Sequence, residues 1–182
     1  MRIIAGKYRG LKLNEFEFDN IRPTIDRVRE SIFNKIQFRV ANSKVLDLFS
    51  GTGAVSLEFM SRGASEVISV DNNRNSVKLI NQNFKKANLT TKLLEMDYMQ
   101  ALKKLNSENR KFDIIFLDPP FMTDYADKAI HFIAENNILQ EEGIIIYEHN
   151  EKETFSLPEN LVLTDEKKYG TIKVSYLERK DG

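Results

Sequence analysis

Four consecutive residues, Asp118-Pro119-Pro120-Phe121, have the chemistry to handle a planar amine. Such an amine is a poor nucleophile, because its lone pair is delocalised into the ring or carbonyl that carries it. A carboxylate and a backbone carbonyl that accept its two N–H bonds would hold it, favour a reactive geometry and stabilise the charge that develops on attack. Prolines stiffen the loop, and their missing N–H donors leave carbonyls free to accept. Phe121 adds a face on which a flipped base can stack. Taken alone, the four residues would equally suit a rigid turn after a strand.

Other acids stand in comparable places. Apolar runs that read as strands carry or end in an aspartate: Asp47 within VLDLF, Asp71 after EVISV, Asp97 after KLLEM and Asp118 after FDIIFL. In an open parallel sheet, ligands bind beyond the carboxyl ends of the strands, near the point where strand order reverses. The turn Asp47-Leu48-Phe49-Ser50-Gly51-Thr52-Gly53 offers glycines where backbone must approach a ligand closely. A dinucleotide fingerprint would place glycine or alanine three residues after Gly53, where Ser56 stands. Asp47 would also repel a pyrophosphate, whereas it suits a ligand with an ammonium and a sulfonium. Asp71, twenty residues after Gly51 and followed by Asn72, can accept from ribose hydroxyls; Asp97, followed by Tyr98, can accept from an adenine amine. Each acid alone reads as a cap or turn residue. Together they describe an S-adenosylmethionine pocket, with Asp47, Phe49, Ser50, Gly51, Gly53, Asp71, Asn72, Asp97, Tyr98 and Asp118 as candidate contacts.

These residues need a scaffold. MRIIAGKYRGLKLN reads as a short β-hairpin or arm. In IRPTIDRVRESIFNKI, Pro23 disfavours helix at Arg22 and Thr24 suits an N-cap. Ile25, Val28, Ile32 and Ile36 then share one helical face, with arginines on the other. Strands are predicted at 45–49, 66–71, 92–97, 112–118 and 143–149. Helices are predicted from the glycine turn to near Gly63, from Arg74 to Ala87 with Asn88 as C-cap, and from Tyr125 to Asn136. This rhythm predicts an α/β fold with a doubly wound, mostly parallel sheet, closed by an antiparallel hairpin around Tyr169-Gly170. Glu148, at the end of the fifth strand, is expected at the pocket rim.

A chain of 182 residues suits one domain, and 41% hydrophobic with 30% charged residues is ordinary for a globular protein. The absence of cysteine excludes disulfides and Cys-based zinc sites. His131 and His149 have no partner spacing for a metal, so both are expected to be structural and no metal is expected. No apolar run approaches the roughly 20 residues that cross a bilayer, so no membrane association and a cytoplasmic location are expected. Basic and acidic residues balance at 27 each, but Arg2, Lys7, Arg9 and Lys12 stand in the first twelve residues without an acid. A front-loaded basic charge suits a nucleic-acid contact.

The RIIAGKYRGLKL opening, IRPTIDRVRESIFNKI, VLDLFSGTGAVSLEFMSRGA, FDIIFLDPPF and the late KKYG turn together resemble the RsmD-like bacterial methyltransferases, over nearly the whole chain. The resemblance implies a Rossmann-like class I methyltransferase that uses S-adenosylmethionine to methylate the exocyclic 2-amino group of a guanine in small-subunit (16S) ribosomal RNA. It implies Asp118 to Phe121 at the target amine, and Arg2, Lys7, Arg9, Arg22, Thr24, Arg27 and Arg29 facing RNA. Residues 1–42 would then be an RNA-binding extension of a methyltransferase domain spanning 43–182. The partner would be 16S ribosomal RNA or an assembling small subunit, met by a monomer. The motif chemistry also suits an adenine in DNA or RNA, or a protein glutamine amide. A different class is a non-enzymatic RNA-binding assembly factor, against which an intact Asp118 and glycine turn count. A nucleotide-dependent oxidoreductase ranks third.

Overall fold

The computed structural model describes residues 1–16 and 22–181, and from 22 to 24 the backbone only. Seven strands form one sheet: β1 (Lys44–Asp47), β2 (Glu66–Val70), β3 (Lys92–Leu94), β4 (Phe112–Leu117), β5 (Leu139–Asn150), β6 (Leu161–Tyr169) and β7 (Ile172–Arg179). Their order is β3-β2-β1-β4-β5-β7-β6. The first five pair in parallel, and β7 runs antiparallel between β5 and β6. The order reverses between β1 and β4, where a crevice must open because the flanking crossovers leave on opposite faces.

Side chains alternate across the sheet, so each strand feeds two apolar layers. Leu46, Ile68, Ile115 and Leu117 pack against α4 (Tyr98–Ser107) and α5 (Tyr125–Glu135). Val45, Val67, Ile114 and Phe116 pack on the other face with Val28, Ile32 and Phe33 of α1 (Arg22–Lys35), Ile36 just after it, and Phe59 of α2 (Ala54–Ser61). A third cluster joins Leu57 of α2 and Ile80 and Phe84 of α3 (Arg74–Lys86) to Ile3 and Leu13 of the N-terminal arm.

The boundaries differ from the sequence reading in instructive ways. Helix α1 starts at Arg22, so Thr24 is inside its first turn rather than its cap; Pro23 is tolerated there because the first N–H groups of a helix have no intrahelical partner. Strand β3 stops at Leu94, and α4, for which no helix was predicted, starts at Tyr98 with Asp97 as its cap. Strand β5 begins four residues earlier than expected, at Leu139. Ala87 caps α3, and Asn88 follows in the left-handed conformation (φ 54°). The arm is less regular than a hairpin, with a single bridge between Arg2 and Lys12.

The arm is nonetheless firmly seated. Glu58 is fully buried and accepts from the backbone N–H of Ile4 (2.9 Å) and Ala5 (3.1 Å) and from Arg62 Nε (2.8 Å). Ser61 donates from its hydroxyl to the Ala5 carbonyl (2.6 Å) and accepts from Tyr8 N (2.9 Å). Burying Ile3 and Leu13 adds roughly 1.5–3 kcal/mol each. Gly6 has φ +87°, and a Cβ there would lie 2.0 Å from the Ser61 carbonyl oxygen. Gly10 has φ +84° but open space around it. Gly10→Ala should therefore cost only about 1–2 kcal/mol of backbone strain, whereas Gly6→Ala adds a backbone clash and should undock the arm. Limited proteolysis should show residues 1–16 cut readily in Gly6→Ala and not in Gly10→Ala; equal protection in both would remove the Gly6–Ser61 contact as the clasp.

Candidate active site

Ligand-sized space opens where the strand order reverses. A cavity of about 620 Å³ is lined at the carboxyl ends of β1, β2, β4 and β5, with walls from the arm and α1. The glycine turn forms its floor. Gly51 (φ 57°) donates its N–H to Asp71 Oδ2 at 2.9 Å, and Asp71 Oδ1 accepts from Asn73 N at 2.9 Å. Asp71 thus sets the turn's conformation while facing the cavity.

Asp47 is fully buried, with Oδ2 accepting from Ser56 Oγ at 2.7 Å, and Ser56 in turn bonded to Ser69 Oγ at 2.8 Å. The Ser56 that breaks the dinucleotide fingerprint is therefore the partner of Asp47. Asp47 Oδ1 has no hydrogen-bond partner among the described residues. An unpaired buried carboxylate oxygen in a cavity wall is costly unless a donor arrives, and a ligand ammonium would supply one. Burial pushes the Asp47 carboxyl up to about 6, against the pull of the Ser56 hydroxyl.

Asp118 and Glu148 also line the cavity. Burial, then Glu148, Asp47 and Glu153, push Asp118 well above the usual carboxylate range. Burial pushes Glu148 up to about 7. Glu153 accepts from Met122 N and from Asn150 N, tying the turn after Asp118 to the end of β5. Three aromatic rings complete one wall: Tyr98 lies 5.3 Å from Phe49 and 4.9 Å from Tyr125, centroid to centroid.

Of the residues expected at the cofactor, Asp47, Phe49, Ser50, Gly51, Asp71, Asn72, Asp97, Tyr98 and Asp118 line this cavity. Gly53 does not; it precedes α2, where a Cβ would meet Ile80 at 3.4 Å, so its smallness serves helix packing. Asp97 also caps α4, accepting from Met99 N (3.0 Å) and Gln100 N (3.4 Å), so the cap and cavity readings hold together. Pro119 and Pro120 line the cavity, whereas Phe121 lies outside it and is 51% exposed. Arg2, Lys7, Arg9 and Arg27 are exposed, and the side chains of Arg22 and Thr24 lie outside the described residues. Arg29 departs from the expected solvent face: it is 5% exposed, lines the cavity and donates to the Arg2 carbonyl at 2.6 Å. Helical spacing placed it beside Val28, and only the arm's carbonyl reveals why it turns inward.

Met1, Phe16, Ile25 and Tyr125 in the wall were not foreseen. Tyr125 was the most accessible to inference, as an aromatic opening the helix after Asp118. His131 bonds to Ser156 and His149 to Ser175 Oγ (2.8 Å), and neither lines the cavity. Among the described residues no cluster could hold a metal, and no helix is long and apolar enough to cross a membrane.

Fold and site define a class: a Rossmann-like methyltransferase that uses S-adenosylmethionine. Within it, residues 1–178 match the family model "Conserved hypothetical protein 95", and the chain belongs to that family. It is 33% identical over 174 residues to ribosomal RNA small subunit methyltransferase D of Haemophilus influenzae, covering 94% of this chain and 90% of the relative. The solved structure of "Putative methyltransferase yhhF" from Escherichia coli superposes with a TM-score of 0.85 at 27% identity, covering 100% of this chain and 99% of that one. SMU.776, described as a "putative methyltransferase complexed with SAH", matches 83% of this chain and 48% of its own with a TM-score of 0.69 at 26% identity.

The raised carboxyls bear on stability. A carboxyl that binds its proton more tightly when folded stabilises the protein below its unfolded pKa, and that contribution is lost as pH rises through the folded value. For Glu148 the window runs from 4.5 to about 7. Glu148→Gln should therefore be more stable than the ligand-free wild type by about 1–3 kcal/mol at pH 8, with the advantage vanishing towards pH 4. Urea unfolding across that range checks this; a pH-independent difference would mean that the carboxyl is not ionising in a confined site.

Proposed function

We propose that this protein methylates the exocyclic 2-amino group of a guanine in small-subunit (16S) ribosomal RNA. The observation that carries the reading is the placement of Asp118-Pro119-Pro120 on the wall of the donor cavity with Phe121 exposed just outside it. Bound S-adenosylmethionine supplies an electrophilic methyl group. Asp47, through its unpartnered oxygen, would hold the amino acid ammonium, Asp71 the ribose hydroxyls and Asp97 the adenine amine. The aromatic wall of Phe49, Tyr98 and Tyr125 excludes water from the same space.

Asp118 and a carbonyl of the proline turn would accept the two N–H bonds of the target amine. As the nitrogen takes the methyl group and the methyl–sulfur bond breaks to leave a neutral thioether, the nitrogen would gain positive charge that the carboxylate stabilises, and it would then pass one proton to Asp118 and on to solvent. Phe121 would stack on the extruded base. The exposed arm residues Arg2, Lys7 and Arg9, with Arg27 and residues 22–24 of α1, would meet RNA phosphates, making residues 1–42 the RNA-facing extension of the catalytic domain 43–182. The relatives named for ribosomal RNA support this substrate class over DNA or protein. A ribosomal RNA substrate places the work in the cytoplasm.

Incubation with labelled donor and ribosomal RNA or small subunits from cells lacking the protein, followed by mapping of the methylated nucleotide, tests the reading; label on an adenine, or none, overturns it. On the natural substrate at saturating donor, Asp118→Ala should lower the single-turnover rate by a factor on the order of a hundred while donor affinity stays close to wild type. Phe121→Ala should instead weaken base capture, as for a stacking face worth roughly 1–3 kcal/mol, with partial recovery in Phe121→Trp. Near wild-type turnover by Asp118→Ala would return the turn to a structural role.

A further inference from the structure

The methyl-donor reading leaves Glu148 without a task, and the sheet places it on the target side of the cavity. Phe116 on β4 pairs in register with Ile146 on β5, and both belong to the apolar layer that packs against α1. One strand period further, Asp118 and Glu148 come to that same face side by side, on strands roughly 4.8 Å apart. Both line the cavity, and Glu148 is the first charge that acts on Asp118. The order β2-β1-β4-β5 sets Asp71, Asp47, Asp118 and Glu148 in a row along the carboxyl edge. With the donor held by Asp71 and Asp47 and the amine met by Asp118, Glu148 stands one strand beyond the amine, on the side away from the donor. Opposite it on β7, buried Val174 offers no polar side chain. Two cations belong to the lining: the Met1 ammonium lies 3.1 Å from a Glu15 carboxylate oxygen, and Arg29 donates to the Arg2 carbonyl and lies 4.0 Å from Asp26. Among the described residues Glu148 has no hydrogen bond or ion pair.

The edge of a guanine gives a second carboxyl something to hold. Its 2-amino group stands beside the ring N1–H, so the amine and its neighbour are both donors. In adenine and in cytosine the ring nitrogen beside the amine carries a lone pair, and in a glutamine amide the neighbour is a carbonyl oxygen. We propose, on the reading that the target is a guanine, that Glu148 is a specificity-determining residue that accepts the ring N1–H while Asp118 accepts from the amine. A carboxylate in that place attracts the N–H of guanine and repels the lone pair that the other amines put there. Contacts of Asp118 and the proline carbonyl with the amine are alike for all of these substrates, so the choice falls to the next acid along the edge. A site built to hydrogen-bond a donor rejects an analogue without it, because the confined acceptor is then left unpaired.

Single-turnover methylation of two small subunits tests this, one assembled on 16S ribosomal RNA with guanine at the mapped nucleotide and one with 2-aminopurine there. The analogue keeps the 2-amino group but has a lone pair at N1 and lacks the 6-oxygen. At pH 8.5, above the value of about 7 to which burial raises Glu148, the wild type should methylate guanine faster by a factor on the order of a hundred. Glu148→Gln, whose amide can accept from N1–H or donate to a lone pair, should bring the two bases to within roughly tenfold; a preference set by the 6-oxygen would survive in it unchanged. Glu148→Ala should lower the ratio too, by slowing guanine. By calorimetry S-adenosylhomocysteine should bind Glu148→Gln and wild type alike. Equal use of both bases by the wild type overturns the proposal without recourse to any variant, and so does an unchanged ratio in either variant or a loss of donor binding in Glu148→Gln. If guanine itself takes no methyl group from the wild type, the guanine reading fails, an outcome distinct from equal use of the two bases.

Discussion

Crowding Asp47, Asp118 and Glu148 at one end of a parallel sheet is the constraint to which the rest of the molecule answers. Parallel pairing leaves little choice: once β1, β4 and β5 lie side by side, acids at their carboxyl ends must share one space. Burial is the first cause that raises all three carboxyls, and at Asp118 the repulsion of Glu148 and Asp47 adds to it. Among the described residues none of the three forms an ion pair, and Arg29, which lines the same cavity, donates to the Arg2 carbonyl. The two apolar layers on either face of the sheet are what hold the strand ends together against that repulsion. A cavity built this way favours a cation.

The same space is closed from the side by the N-terminal arm. Asn83 on α3, fully buried, donates to the carbonyl oxygens of Thr52 (2.8 Å) and Asn14 (3.0 Å) and accepts from Asn14 N (2.7 Å). One amide therefore joins the glycine turn to the end of the arm. Glu58 and Ser61 fix the arm's beginning to α2, and Met1 and Phe16 reach the cavity wall. The segment carrying the concentrated basic charge is thus mechanically continuous with the donor cavity, although its charged side chains point to solvent.

What the sequence disclosed follows from which interactions are local. Strand-end acids and the glycine turn were legible because the period of a strand and the conformational freedom of glycine act over a few residues. Helix α4 was overlooked although Tyr98, Ala101, Leu102 and Leu105 are spaced for one buried face, because Asp97 was read as the end of a strand rather than as a cap. The extra length of β5 was hidden by Glu141 and Glu142, which are exposed within it. Glu58 and Arg29 were illegible in principle. A charged residue on a helix reads as solvent-facing, and both are buried because a segment more than twenty residues away in sequence supplies their hydrogen-bond partners.

The chemistry assigned to Asp118 places a demand on the site. An amine that takes on positive charge is held best by an ionised carboxyl, whereas burial, then the charges of Glu148, Asp47 and Glu153, favour the protonated form of Asp118. Glu153 cannot simply be dispensed with, because it anchors the turn that carries Pro119, Pro120 and Phe121. A positive charge entering the cavity reverses the balance, since it lowers the energy of every nearby carboxylate at once. Under the methyl-donor reading the ligand brings that charge and favours the ionised form of Asp118 while the donor is in place. The acids at the strand ends then do more than bind: their ionisation is coupled to the charge of what they hold.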